Sequence, residues 1–248
     1  PRRGALRAVR PGTQRGDQRA ELRLRLAVRA GRQQRAQPGR LASPGDRSGG
    51  GICRAATQRR IIRRMSDGLF RNQFLLAMPG RVGGDFADSV TFIAEHNADG
   101  AMGLVINKPS DLSVRDMLAH MDIEAHVSAE QPVFWGGPVQ TERGFVLHRD
   151  EGKWESTLKV GGGLALTTSR DILEAIGNGF GPSDYLITLG YAGWGEGQLE
   201  DEMLANSWLN TPASDQIIFS TPVETRWAAA ARLLGLEVHQ LSGLVGHA

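Results

Sequence analysis

The chain of 248 residues carries its charge in two unlike parts, although its formal net charge is only +2. Residues 1–64 hold eighteen Arg, no Lys and three acidic residues, whereas residues 65–248 hold eleven basic and twenty-four acidic residues, a net charge of −13. So acidic a polypeptide repels the DNA backbone, and direct DNA binding by residues 65–248 is not expected. The lone cysteine, Cys53, lies in the basic part, which excludes disulfides and cysteine-ligated metal sites from the acidic part.

The basic part, residues 1–64, contains no Phe, Trp, Tyr or Met. It buries too little apolar surface to offset the entropy lost on ordering, so we expect it to be disordered. A basic arm for nucleic acid and an organelle-targeting segment are two alternatives. An excess of Arg, Ala, Gly and Pro without Lys is typical of GC-rich non-coding DNA read as protein, and we therefore expect the native protein to begin at Met65.

The first half of the acidic part predicts two strands, each followed by a helix. The apolar run 73–78 predicts a buried strand, and the run 101–107 predicts a second. Between them a helix is predicted from about Asp85, a residue suited to the N-cap position. Ser113 and Asp116 resemble a capping box that opens a short helix. The apolar residues at helical spacing in the first helix are Phe86, Val90, Ile93 and Ala94.

The second half predicts more strands, with three helices among them. The predicted strands are two within 132–148, a candidate at 154–160, and the runs 185–189 and 216–220. The predicted helices are one of about ten residues after Ser169, one over 196–208, and one that starts at Thr221-Pro222-Val223-Glu224 and ends at Gly235. Because βα units alternate with hairpins, the pattern predicts an α+β domain with mixed sheets flanked by helices.

The 184 residues from Met65 onward suit a single domain with a sizeable core. No run reaches the roughly 18 apolar residues that a membrane helix needs, so we expect no membrane partner. No signal-peptide pattern precedes Met65, and a cytoplasmic location is expected.

Two groups of polar residues stand where predicted elements end. Glu95 and His96 end the predicted helix, where a cation complements the helix dipole, so cap chemistry is the alternative to a site. Asn107 and Lys108 end a strand, where site residues often lie, with a simple turn as the alternative. The loop 80–85 matches neither common phosphate-binding spacing, and we interpret it as a structural turn.

The densest unusual feature is the glycine- and aromatic-rich segment 190–200, between a predicted strand and a predicted helix. Gly193 allows a sharp backbone path and Trp194 offers a flat contact surface, so we interpret it as a candidate functional loop. The acids after it, including Glu200, complement the helix dipole, which is the alternative. No His or Cys pattern suits a metal, and no nucleophile, base and orienting group can be assembled, so neither a metal nor a cofactor is expected.

Four runs in this order resemble the bacterial YqgE/AlgH family. The runs are EHNADGAMGLVINKP (95–109), PVFWGGPVQTERGFVLH (132–148), LGYAGWGEGQLEDEMLANSWL (189–209) and LSGLVGHA (241–248). The resemblance covers essentially all of residues 65–248 and none of residues 1–64. It implies a mixed α/β domain with bent, coiled sheets, and it implies no known reaction or catalytic residue.

Members of that family are described as uncharacterised proteins or as candidate regulators of transcription linked to alginate production. The resemblance therefore implies a shared surface or a shared fold at the positions that match the family's motifs. These positions are Glu95, His96, Asn107, Lys108, Pro109, Gly136, Gly137, Pro138, Gly193, Trp194, Gln198, Glu200 and Asn206.

The sequence favours a non-catalytic regulatory protein that binds a protein partner or a small ligand. The alternative is an enzyme or nucleotide-binding protein that uses the 189–200 loop, with Lys108 or Arg143 meeting an anionic substrate and Glu95 or Glu200 as base. Convergence of Glu95, Lys108, Trp194 and Glu200 on one pocket would favour this alternative. A third possibility is DNA binding through the basic arm.

Overall fold

A computed structural model of the chain describes residues 68–126 and 129–236. Within these ranges ten strands form a curled sheet with helices packed on it, which confirms the α+β class. The predictions for residues 1–64 and the terminal run 241–248 fall outside the described residues. The strands are β1 (Gln73–Ala77), β2 (Val90–Asn97), β3 (Gly100–Val105), β4 (Pro109–Ser113), β5 (Pro132–Trp135), β6 (Val139–Arg149), β7 (Thr157–Gly161), β8 (Leu164–Thr167), β9 (Tyr185–Gly195) and β10 (Trp208–Pro212).

The helices are short and lie on the sheet. The α-helices are α1 (Val114–His120), α2 (Arg170–Gly177), α3 (Gln198–Leu204) and α4 (Arg226–Arg232). Two 3₁₀ turns occupy Gly84–Phe86 and Val223–Thr225, and a π-helical turn occupies Gln216–Ser220. In the described part of the chain, no helix is both long and apolar enough to span a bilayer.

Strand β9 joins two groups of strands in the sheet, because it pairs with β3 of one group and with β5 and β6 of the other. The strand order is β10-β1-β2-β3-β9-β6-β8-β7, with β5 parallel to β9 and β4 antiparallel to β5. On one edge, β9 pairs first with β5, at Thr188, and then with β3, from Ala192 onward. Between them lies Gly190, whose φ of 73° lets the strand bend without strain.

Alternation along the strands divides the core between the two faces of the sheet. In β1, Phe74 and Leu76 point into the main cluster inside the curl, whereas Leu75 and Ala77 point into a smaller cluster on the opposite face. The π-helical turn and α4 cover part of the main cluster, and α3 covers the smaller one. A third cluster lies between α1, α2 and the strands β5, β6 and β9.

A buried arginine holds α4 against the sheet. Arg226, only 5% exposed, donates from Nε to the carbonyl oxygen of Thr221 at 3.1 Å and from Nη1 to that of Ile106. Its guanidinium also lies 5.2 Å from the ring centroid of Phe134. Burial lowers the pKa of Arg226 to about 10, so the group still carries its charge at neutral pH.

The helix predicted from Asp85 is wrong, because the chain forms a 3₁₀ turn and then β2. Strand β2 is buried on both faces from Val90 to His96, so it lacks the polar–apolar alternation by which a half-buried strand is recognised. A β-bulge also breaks its period, since Ile93 pairs with Gly103 and Glu95 with Met102, leaving Ala94 as the extra residue.

Two further predictions need correction. The predicted strand 216–220 is a π-helical turn, closed by the bond from the Thr221 amide to the Gln216 carbonyl at 2.8 Å. The helix predicted over 196–208 covers only Gln198–Leu204, because Trp208 already belongs to β10. Strands β4, β8 and β10 were not predicted.

Other predicted elements are confirmed. The first two predicted strands correspond to β1 and β3, and the two strands predicted within 132–148 correspond to β5 and β6. The Ser113 hydroxyl accepts from the Asp116 amide at 3.1 Å at the start of α1, as the capping pattern predicts. The helix after Ser169 is α2.

Candidate functional site

The candidate site is built by α3 where it packs on the outer face of β2, β3 and β9. The helix follows β9 directly, and Gly197, with a φ of 70°, makes the tight entry into it. The Gln198 side chain closes this entry by accepting from the Gly195 amide at 3.1 Å. The same turn therefore brings the last residues of β9 against the polar face of α3.

Glu202 is the central side chain of this contact. Its Oε2 accepts from the indole Nε1 of Trp194 at 2.9 Å and from that of Trp208 at 2.8 Å. Its Oε1 accepts from the Gln198 amide nitrogen at 2.8 Å. Gln198 lies four residues before Glu202, so one turn of helix places both side chains on one face. Three neutral donors from α3, β9 and β10 thus hold one carboxylate in place.

The aromatic rings around Glu202 support one another edge to face. The centroids of Trp194 and Trp208 are 6.0 Å apart, and Phe86 lies 6.0 Å from Trp208 and 5.4 Å from Trp135. Edge-to-face packing is the preferred arrangement of aromatic pairs, so each ring limits the movement of the next. Trp194 and Trp208 are each only 5% exposed.

A cavity of about 320 Å³ opens between these rings and the loop that follows β1. Glu202 and Trp208 belong to the lining, and so do Arg81 and Val82 of that loop. Such a volume is at the small end of the range for ligand pockets. The lining residues are Arg81, Val82, Gly83, Phe86, Ala192, Gly193, Trp194, Glu202, Ser207 and Trp208.

His96 and Glu200 form a second polar contact under α3. The Nε2 of His96 lies 3.0 Å from Oε1 of Glu200, and its Nδ1 lies 3.5 Å from the backbone nitrogen of Phe70. An N–H that points at Nδ1 favours the tautomer with the proton on Nε2, which then donates to Glu200. The His96 side chain is 1% exposed, so the pair ties the helix to the sheet from below.

The β-bulge in β2 decides which residues reach α3. Because Ala94 is the extra residue, Glu95 aligns with Met102 of the main core, while His96 aligns with Ala101 on the α3 side. The Glu95 carboxylate accepts instead from the Asn97 side chain at 2.9 Å. The prediction that Glu95 and His96 end a helix is therefore wrong, and the two side chains point to opposite faces of a strand.

Asn107 and Lys108 serve the connection between β3 and β4. The Asn107 side chain accepts from the Val90 amide at 2.8 Å and donates to the Asp88 carbonyl at 2.8 Å, which fixes the start of β2. The Lys108 carbonyl accepts from the Trp135 amide at 2.8 Å.

Gly136 and Gly137 allow backbone segments to cross closely. A Cβ on Gly136 would lie 2.2 Å from the Gly190 carbonyl oxygen, and one on Gly137 would lie 2.2 Å from the Tyr191 carbonyl carbon. Both contacts are with backbone, which leaves no side chain to move aside. These positions serve the path of the chain past β9.

The structure thus brings together some predicted residues and separates others. Gly193 and Trp194 line the cavity, and Gln198 orients the carboxylate that faces it. His96 and Glu200 lie in the adjacent contact under α3. The lining of the cavity includes Trp194 but not Glu95, Lys108 or Glu200, so the four residues chosen as a criterion for an enzyme site do not converge there.

Sequence reasoning missed several residues of the site. Glu202 was interpreted only as one of several acids at a helix start, and the loop carrying Arg81 was interpreted as a turn. One available signal was the pair Gln198 and Glu202 at helical spacing directly after Trp194. The contribution of Trp208 had no local signal, because it depends on β10 pairing with β1.

Comparisons with known proteins agree with this architecture. A sequence profile of a family described as AlgH-like matches residues 74–239. A UPF0301 protein from Nitrosococcus oceani is 54% identical over 181 residues, which is 72% of this chain and 97% of that protein. One from Thioalkalivibrio sulfidiphilus is 56% identical over 180 residues, with the same coverage of 72% and 97%.

Two solved structures share the fold. The solution structure of the AlgH protein from Pseudomonas aeruginosa matches with a TM-score of 0.61 and 47% identity, over 72% of this chain and 96% of that one. A crystal structure of a Corynebacterium diphtheriae protein matches with a TM-score of 0.53 over 67% of this chain and 93% of that one, and at 21% identity it shows the fold alone. From the sequence profile, the relatives and the shared fold, we conclude that this chain belongs to the AlgH-like family.

Proposed function

We propose that residues 65–248 form a non-catalytic regulatory domain that binds a small ligand in the cavity beside α3. The observation that carries the proposal is the fixed carboxylate of Glu202, held by two indoles and an amide at the wall of an aromatic-lined cavity. A few oriented polar groups among apolar side chains are the usual composition of a ligand pocket. Groups that are held before the ligand arrives lower the entropy cost of binding.

Binding is favoured over catalysis because the acid–base groups near the cavity are already engaged. Glu202 uses three of roughly four acceptor positions of a carboxylate. Both ring nitrogens of His96 face protein partners. A general base needs an acceptor within hydrogen-bond reach of the proton that it removes, and His96 offers none in this arrangement.

The ligand is proposed to act through a protein partner rather than through direct contact with DNA. The net charge of −13 on residues 65–248 opposes binding to a phosphate backbone. The proposal includes a cytoplasmic location and no stable membrane association. The alternative from the sequence, an enzyme that uses the 189–200 loop, draws support from the presence of Gly193 and Trp194 in the cavity wall.

The test is a ligand screen on the full chain. Binding is detected by NMR, through shifts of the indole N–H resonances of Trp194 and Trp208. The probes are the twenty amino acids, the nucleoside monophosphates and a set of sugar phosphates. At least one probe is expected to shift both indole signals without being converted, as judged by mass spectrometry. Conversion of a probe would overturn the non-catalytic proposal, and a screen in which no probe moves either signal would overturn the assignment of the cavity.

A pair of glycine variants locates the binding site. A Cβ at Gly83 meets no atom within 4 Å, and the φ of Gly83 is −111°, so Gly83→Trp introduces a large side chain at the cavity without backbone strain. Gly144 in β6 also has no atom within 4 Å of its Cβ position, and it does not line the cavity. Gly83→Trp should abolish the shifts and Gly144→Trp should preserve them. The reverse pattern would place the ligand elsewhere.

A further inference from the structure

We propose that the ligand of this cavity is a zwitterion of amino-acid size, whose ammonium group meets Glu202 and whose carboxylate meets Arg81. This inference rests on the proposed function and names its ligand class. The starting observation is that two opposite charges line one cavity. In the described ranges 68–126 and 129–236, neither Arg81 nor Glu202 forms an ion pair with another residue.

The carboxylate is set to receive a cation. The donors that hold Glu202 are two indoles and an amide, which orient its oxygens but leave its negative charge uncompensated. Both indoles occupy Oε2, so Oε1, which holds only the Gln198 amide, keeps an acceptor position. A charge at a partly desolvated site is stabilised when an opposite charge approaches it.

The loop after β1, which also lines the cavity, is set to receive an anion. Arg81 is carried on a turn in which the Arg81 and Val82 amides both donate to the Met78 carbonyl, at 3.1 and 3.2 Å. This backbone is fixed, while the guanidinium is exposed and offers its planar set of donors to a carboxylate. The hydroxyl of Ser207, also in the lining, makes no side-chain hydrogen bond within the described part of the chain and supplies a further donor.

The two charges disfavour ligands that carry only one charge, and the volume of the cavity disfavours large ligands. A purely anionic molecule would meet the repulsion of Glu202, and a purely cationic one would meet that of Arg81. The apolar wall of Val82, Phe86 and Trp208 suits an aliphatic or aromatic body between the two charged groups. A volume of about 320 Å³ fits a single amino acid better than a dinucleotide or a peptide chain.

The test compares three molecules that share one ring and differ in charge: L-phenylalanine, phenethylamine and 3-phenylpropionate. Each is titrated into the full chain, and the indole resonances of Trp194 and Trp208 report binding. L-Phenylalanine should bind at least about tenfold more tightly than either analogue, because each analogue leaves one protein charge without its partner. Equal or tighter binding of either single-charge analogue would overturn the zwitterion while leaving the cavity assignment intact.

Two charge-removing variants and one control sharpen the result. Arg81→Gln should reduce the affinity for L-phenylalanine at least about tenfold and should strengthen the binding of phenethylamine, because the repulsion between Arg81 and the ammonium group is gone. Glu202→Gln should reduce the affinity for L-phenylalanine to the affinity that the parent chain has for 3-phenylpropionate. Arg115→Gln removes an equal charge from α1, outside the cavity lining, and should change nothing.

Because Arg81 is exposed, Arg81→Gln should fold even if Glu202→Gln does not, and the test can then use Arg81→Gln alone. An L-phenylalanine affinity that Arg81→Gln leaves unchanged would overturn the inference. If none of the three molecules binds and only probes other than amino acids shift the indole signals, the ligand class is wrong and the proposed function stands. If no probe of any class shifts them, the proposed function itself fails.

Discussion

Replacing Glu202 by Leu should destabilise the protein, because two buried donors lose their hydrogen-bond acceptor. Leucine has no acceptor, so the indole N–H groups of Trp194 and Trp208, on side chains 5% exposed, lose their bonds of 2.9 and 2.8 Å. Each buried donor left without a partner costs about 1–3 kcal/mol, which gives a total loss of about 2–6 kcal/mol. Gln198 is half-buried and can turn toward water, so its contribution is small.

Two companion variants separate the hydrogen bonds from the change in charge. Glu202→Gln keeps an oxygen that can accept from both indoles and should cost only about 1 kcal/mol, because its amide group faces the amide of Gln198. Asp201→Leu removes the same charge from the exposed neighbouring position of α3 and should stay within about 0.5 kcal/mol of the parent chain.

The assay is urea unfolding followed by circular dichroism, with the indole N–H resonances recorded for each folded variant. The order of stability should be parent, Asp201→Leu, Glu202→Gln and then Glu202→Leu. If Glu202→Leu unfolds within 0.5 kcal/mol of Asp201→Leu and both indole resonances keep their positions, the carboxylate does not hold the two rings, and this account of the site is refuted.

Three further predictions concern the frame around the site. Deleting Ala94 should preserve the pairing of β2 with β3, because Ile93 and Glu95 keep their present partners, and should cost about 1–3 kcal/mol in a thermal melt; failure to fold would contradict the bulge. Gly136→Ala should cost about 1–3 kcal/mol in urea unfolding, since its Cβ would lie 2.2 Å from the Gly190 carbonyl oxygen; an unchanged midpoint would contradict the crossing. Burial lowers the pKa of His148 below its ordinary 6.5, so the unfolded chain takes up this proton first and stability should fall as pH drops below 6.5. His148→Gln should make stability depend less on pH than His120→Gln does, since His120 is exposed. An equal dependence in the two variants would contradict the role of His148.

The elements that could be predicted are those whose signal is local. The strand at 73–78 is a short apolar run bounded by Pro-Gly, and the helix after Ser113 begins with a side chain that bonds to an amide three residues on. Gly193 and Trp194 are site candidates because glycine and aromatic residues stand close together after a strand, and Gln198 is one because it matches a motif of the family that the sequence resembles. Two of them line the cavity and the third holds Glu202.

The elements that could not be predicted are those that neighbours impose. The segment 216–220 carries two adjacent isoleucines, which favour a strand, but both are buried in the main core from a π-helical turn. The helix predicted from Asp85 failed because a strand covered on both faces shows no alternation, and because one bulge shifts its period.

By itself the sequence determined the acidic charge of residues 65–248, the α+β class and the glycine–aromatic segment that enters α3. Only the tertiary structure decided that Trp194, Trp208 and Phe86 surround one carboxylate, and that Arg81 faces the same cavity. The reason is that charge and local periodicity belong to neighbouring residues along the chain. The site, in contrast, depends on strand pairings and on a one-residue bulge that sends Glu95 and His96 to opposite faces.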